Sequence, residues 1–134
     1  METDRETVER AFLTAHLLTA DARLAEDITI QAIELWNTRD ESREDLFEKV
    51  VGAALRTRVS PQADTGSDEY PDHINAVLLL PTRLRRCFVL RILAGLPAHI
   101  CARMMGTSRK SVNDDTVLAL QHLPANFRHP AIAA

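Results

Sequence analysis

Glycine and aromatic side chains are scarce in this chain, with 4 Gly and only 4% Phe, Trp and Tyr among 134 residues. So little glycine leaves no Gly-rich loop to cradle a phosphate. Two cysteines are too few for a disulfide-stapled scaffold and fit a reduced, cytoplasmic protein. No apolar run approaches the ~18 residues that a membrane span needs. The N-terminal segment is polar and charged, unlike a signal peptide. There is no internal repeat and no low-complexity tract. Ser, His and Asp are present, but no nucleophile turn frames them.

What the chain does have is helix-forming composition. Ala, Leu, Arg and Glu are abundant, apolar residues make up 46% and charged residues 26%. The length suits one ordinary domain or two very small ones. Charge is unevenly spread. Residues 1–59 hold 13 acids and 8 bases, a net of −5. Residues 60–74 hold 4 acids and no base, and residues 75–134 hold 2 acids and 8 bases, a net of +6. A basic C-terminal part suits a polyanion or an acidic protein surface. Its plainer reading is that arginine stems cover apolar surface and solubilise small helices.

Helical periodicity predicts three amphipathic segments before residue 60. Val8, Phe12, Ala15, Leu18 and Thr19 mark the first. Asp21 is placed to cap the second, whose stripe is Leu24, Ile28 and Ala32 with Leu35 beside it. The third starts near Ser42, carries Glu44 and Asp45 in its first turn, and buries Leu46, Phe47, Val50, Val51, Ala54 and Leu55. Pro61 ends it by Ser60. Residues 60–72 have linker composition. Beyond them, Ile74 to Leu80 reads as a short helix, and Pro81 opens another that runs to Ala94. Gly95 and Pro97 punctuate. Then come a helix, a tight turn on Gly106, and a last helix capped by Ser108. That layout is a helix-turn-helix, which sets one helix in the DNA major groove.

The stretch from Leu80 to Leu123 resembles the promoter-reading C-terminal domain of bacterial sigma factors, particularly the extracytoplasmic-function class. The resemblance is carried by Leu80-Pro81, Arg83, Arg85, Phe88, Leu90-Arg91, Gly95-Leu96, Ala102, Gly106, Ser108, Val112, Ala119 and Leu123, in one ungapped pattern. Residues 17–27, LLTADARLAED, and Trp36 resemble the first domain of the same family. The resemblance implies an all-α protein of two small helical units joined by a short acidic linker, the C-terminal unit a helix-turn-helix. The expected boundaries are 1–59 for the first unit, 60–72 for the linker, 73–124 for the second unit and 125–134 for a tail.

The departures from the family fall on working residues. The family's recognition helix is strewn with Lys and Arg, whereas this one reads Asn113, Asp114, Asp115, Thr116, Val117, Leu118, Ala119, Leu120. Each missing phosphate contact weakens DNA binding and its salt dependence. Lys110 and Asp114 stand four apart, a spacing at which they neutralise each other. In the polymerase-docking helix Asp27 survives, but Ile30 and Leu35 replace polar and basic contacts. The helix after it lacks the aromatics that stack flipped bases, and Phe47 alone is a poor platform. The sigma-like domains of general-stress response regulators show similar losses and bind an anti-sigma factor in place of a sigma factor.

The resemblance therefore implies a regulator of transcription initiation, cytoplasmic and not an enzyme. Its partner would be an anti-sigma factor or another helical protein, engaged through Asp27, Leu35, Val117, Leu118, Leu120 and the interdomain cleft. The alternative is a working sigma factor. It would bind RNA polymerase core near Asp27 and read promoter DNA through Arg109, Lys110 and Asn113, with Arg83 and Arg86 toward phosphates. Arg83, Arg85 and Arg86 read equally as a phosphate-facing patch or a solvated face. No cofactor, metal or membrane contact is expected. His99 and Cys101 lie two apart on different helix faces, and Cys87 and His122 are remote in sequence; a metal or redox site could assemble from them, but core positions explain Cys101 and Cys87 better. The acid pairs Glu26-Asp27, Glu44-Asp45 and Asp114-Asp115 read as caps or solvated faces, because neighbours diverge on a helix. Trp36 reads as a core or domain-interface residue.

Overall fold

The computed structural model describes residues 3–39, 42–57 and 70–124, and every element among them is helical. The chain divides into two compact units, residues 1–63 and 64–134. The 60–72 segment lies outside the described residues except for Tyr70 to Asp72, and the 125–134 tail lies outside them entirely.

The first unit holds α1 (Asp4–Thr19), α2 (Ala22–Arg39) and α3 (Arg43–Arg56), with α1 packed on both others. Side chains write each of its helix starts. Thr3 accepts from the Glu6 amide while Glu6 reaches back to the Thr3 amide, and Ser42 and Asp45 repeat that reciprocal box. The Asp21 carboxylate accepts from the Leu24 amide at 3.1 Å at the head of α2. Ala11, Ala15, Leu18, Ala25, Leu46, Val50 and Ala54 are fully buried, and the alanines let the helices approach closely. The Arg10 guanidinium lies 4.0 Å from the centre of the Phe47 ring.

The first apolar stripe is rotated from its expected position. Thr7, Ala11, Thr14, Ala15 and Leu18 are buried, while Val8 and Phe12 are half-buried. Packing on two sides buries a wider arc than one stripe predicts. The threonines enter that arc because their hydroxyls are satisfied locally, Thr7 on the Thr3 carbonyl and Thr14 on the Arg10 carbonyl.

The second unit holds α4 (Asp72–Leu78), α5 (Thr82–Phe88), α6 (Ala98–Met105) and α7 (Arg109–His122). α5 continues into a π-helical turn at Val89–Leu93. The Leu96 amide reaches back to the Leu90 carbonyl at 2.9 Å across Gly95, whose φ of 72° closes the segment. Pro71, Pro81 and Pro97 stand immediately before α4, α5 and α6, which have no side-chain cap. α7 packs on α5 and α6. Phe88, Val89, Leu90, Val77, Cys101 and Val112 form the core, each 0% exposed. Burying a side chain of that size contributes about 1.5–3 kcal/mol.

Candidate docking faces on the two units

The last helix is aimed by its entry. Gly106 ends α6 at φ 68°, in the left-handed region that a Cβ disfavours. Ser108 then accepts from the Ser111 amide at 3.1 Å and starts α7. Val112, Thr116 and Ala119 turn inward at helical spacing, and Leu123 follows them into the core. Thr116 satisfies its hydroxyl on the Val112 carbonyl at 2.7 Å.

The outer face of α7 carries Asn113, Asp114, Val117, Leu118 and Gln121, all exposed. Val117 is 54% exposed and Leu118 39%, an apolar pair on a helix whose core face is already filled. Leu120 differs from the sequence expectation, being half-buried at the margin of the inward stripe. It stands four residues after buried Thr116, and that spacing places it at the edge of the inward face.

The two carboxylates of α7 are engaged within the unit. The two acids of residues 75–134 are Asp114 and Asp115. Lys110 Nζ donates to Asp114 Oδ2 at 2.9 Å, and this hydrogen bond holds the ammonium pKa above its usual value. Arg83 Nε meets Asp115 Oδ2 at 3.1 Å, joining α5 to α7. The Asp115 side chain is only 14% exposed beneath it.

The other arginines divide in a way the sequence does not show. Arg85 is 3% exposed and donates to the Leu80 carbonyl at 3.1 Å, so it is neither a phosphate contact nor a solvated face. Burial, reinforced by Arg86, lowers its pKa to about 10, still charged at neutral pH. Arg86, expected toward phosphates, is half-buried with its Nε enclosed, and burial lowers its pKa too. Arg91 donates to the Leu96 carbonyl at 3.0 Å. Arg103 and Arg109 are the exposed bases of this unit that form no ion pair among the described residues. Among the described residues, the positive surplus in the sequence thus leaves a thin basic surface.

On the first unit, Asp27 is exposed and Leu35 is 47% exposed, both on α2. Leu35 lines a groove of about 820 Å³ between α2 and α3, with Ile28 and Ala32 as floor and Glu48, Lys49 and Arg56 along the α3 side. Asp27 lies outside that lining. Sequence reading missed the groove. Its signal was the spacing of Ile28, Ala32 and Leu35, whose last member α3 leaves uncovered. Trp36 is half-buried nearby in sequence.

No group of three His, Cys, Asp or Glu side chains is placed to hold a metal among the described residues. His99 is exposed while Cys101 is buried. Cys87 sits 4.0 Å from the Met105 sulfur. Burial, with Asp115 and Cys101 adding to it, raises the Cys87 thiol pKa to about 11, and burial raises that of Cys101. Buried neutral thiols of this kind are poor nucleophiles. No described helix is long and apolar enough to cross a membrane.

No family model, curated protein or solved structure matches the chain.

Proposed function

We propose that this protein is a sigma-like regulator of transcription initiation that works by docking on a protein. In this reading α6, the Gly106 turn and α7 form a helix-turn-helix whose outer face has been turned from DNA to a helical partner such as an anti-sigma factor. The observation that carries it is the exposed pair Val117 and Leu118 at the centre of that face, beside carboxylates that engage Lys110 and Arg83. Apolar side chains at the centre of a contact with charge at its rim suit a protein interface. Phosphate contacts need the reverse arrangement. The α2 groove with Leu35 is a second candidate contact on the first unit.

One observation favours a second reading, a working sigma factor that docks polymerase core near Asp27. Arg109 and Asn113 are exposed on the first half of α7, where recognition helices touch base edges.

Affinity capture from extracts of the native host, comparing the wild type with the Val117→Asp, Leu118→Asp variant, separates the two. The protein-docking reading expects a small helical protein, retained at high salt by the wild type and lost by the variant. Recovery of polymerase core subunits, equally with both proteins, would overturn it.

A further inference from the structure

α7 opens on cations, as α5 does with Arg83 and Arg85. The first turn of α7 holds Arg109 and Lys110 and no acid. The positive end of the helix dipole lies there, so carboxylates would stabilise that turn and cations do not. The first unit follows the rule at α1 and α3, with Asp4 and Glu6 in one first turn and Glu44 and Asp45 in the other. Two cations held against a helix dipole, next to the main-chain amides of its first turn, make a surface suited to anions. The only acids within residues 75–134 are then placed against that surface and its neighbour on α5.

The Lys110–Asp114 pair has little stability rationale of its own. Lys110 precedes Asp114 in the i, i+4 pair, the less favourable order on a helix. Both partners are largely exposed, at 86% and 59%, and such pairs add little to folding. Arg83 is 72% exposed in its pair with Asp115. The local consequence is electrostatic: two cations that could neutralise phosphates face carboxylates first.

We infer that Asp114 and Asp115 are the residues that decide what α7 binds, acting as internal stand-ins for two backbone phosphates of duplex DNA and so masking Lys110 and Arg83. This rests on the protein-docking reading and names what enforces it. Removing the two charges exposes a DNA-binding surface built from Arg83, Arg109 and Lys110. Each further phosphate that the protein neutralises steepens the salt dependence of binding by roughly 0.9 in log–log slope.

The test is fluorescence anisotropy of the full chain with a short labelled duplex DNA of mixed sequence, over a series of salt concentrations. The wild type is expected to bind weakly with a shallow slope. Asp114→Asn with Asp115→Asn is expected to bind about tenfold more tightly at low salt, with a slope steeper by about two. Adding Arg83→Gln to that pair is expected to reverse about half of the steepening. Asp115 is nearly enclosed, so Asp114→Asn alone is the safeguard against misfolding. It is expected to steepen the slope by about one. Equal affinity and slope for the wild type and both carboxylate variants would overturn the masking while leaving protein docking standing. Tight DNA binding by the wild type itself would overturn both.

Discussion

The two units start their helices by different means. In the first, every helix has a side-chain cap at its head: Thr3 with Glu6, Asp21, and Ser42 with Asp45. In the second, prolines stand at the head of three helices and only Ser108 supplies a side-chain cap. Acids lie in the first turns of α1 and α3, whereas α7 opens on two cations. Acids at the heads of α1 and α3 support those helices, whereas the charges at the heads of α5 and α7 are all cationic. Local rules broken without a local gain are a signature of surfaces shaped by binding. On that ground α7, with its exposed apolar pair Val117 and Leu118, is the surface to perturb.

That contrast can be tested at several scales. The largest effect is expected from the core on which α7 rests. Phe88→Ala should lower stability by about 3–5 kcal/mol in urea titration, enough to unfold a unit this small. A loss under about 1 kcal/mol would mean that α5 does not anchor the second unit.

A pH effect comes next. The Cys87 thiol pKa is raised to about 11 in the folded state from an ordinary value of 9.0. The folded state therefore keeps the proton that the unfolded state releases first. The stabilisation is fully present below pH 9 and is lost as pH rises through about 11. Its size is on the order of 2 kcal/mol. Alkaline denaturation of Cys87→Ala compared with the wild type isolates it, and identical pH profiles would refute it.

Two cap-region substitutions sharpen the comparison directly. Ser42→Ala removes half of a reciprocal cap and should cost about 1 kcal/mol. Arg109→Glu should instead stabilise the protein by about 0.3–1 kcal/mol, because it places an acid at the positive end of α7. Opposite shifts in melting temperature are the expected result. Destabilisation by Arg109→Glu would show that Arg109 serves the fold, and the contrast between the units would fail.

Much of the helical layout was legible in the sequence because local chemistry sets it. Asp21, Ser42, Gly106 and Ser108 are cap residues whose role depends on a few neighbours, and all four lie where that role requires. The Lys110–Asp114 pair was legible for the same reason, as a spacing of four on a helix. What stayed hidden depends on residues distant in sequence. Arg83 meets Asp115 only because α5 packs on α7. Arg85 reads as a surface cation, and its burial follows from the Leu80 carbonyl that α4 and α5 bring beside it. The groove at Leu35 depends on where α3 stops covering α2. The π-helical turn at Val89–Leu93 is likewise not written in the periodicity, which reads one uninterrupted helix to Ala94.

The most direct test of a protein-facing α7 is a photo-crosslinking amino acid placed at Val117, irradiated in cells of the native host. A crosslinked product that protease destroys and nuclease leaves intact, containing one protein partner, is the expected result. A nuclease-sensitive adduct with DNA at that position would contradict it.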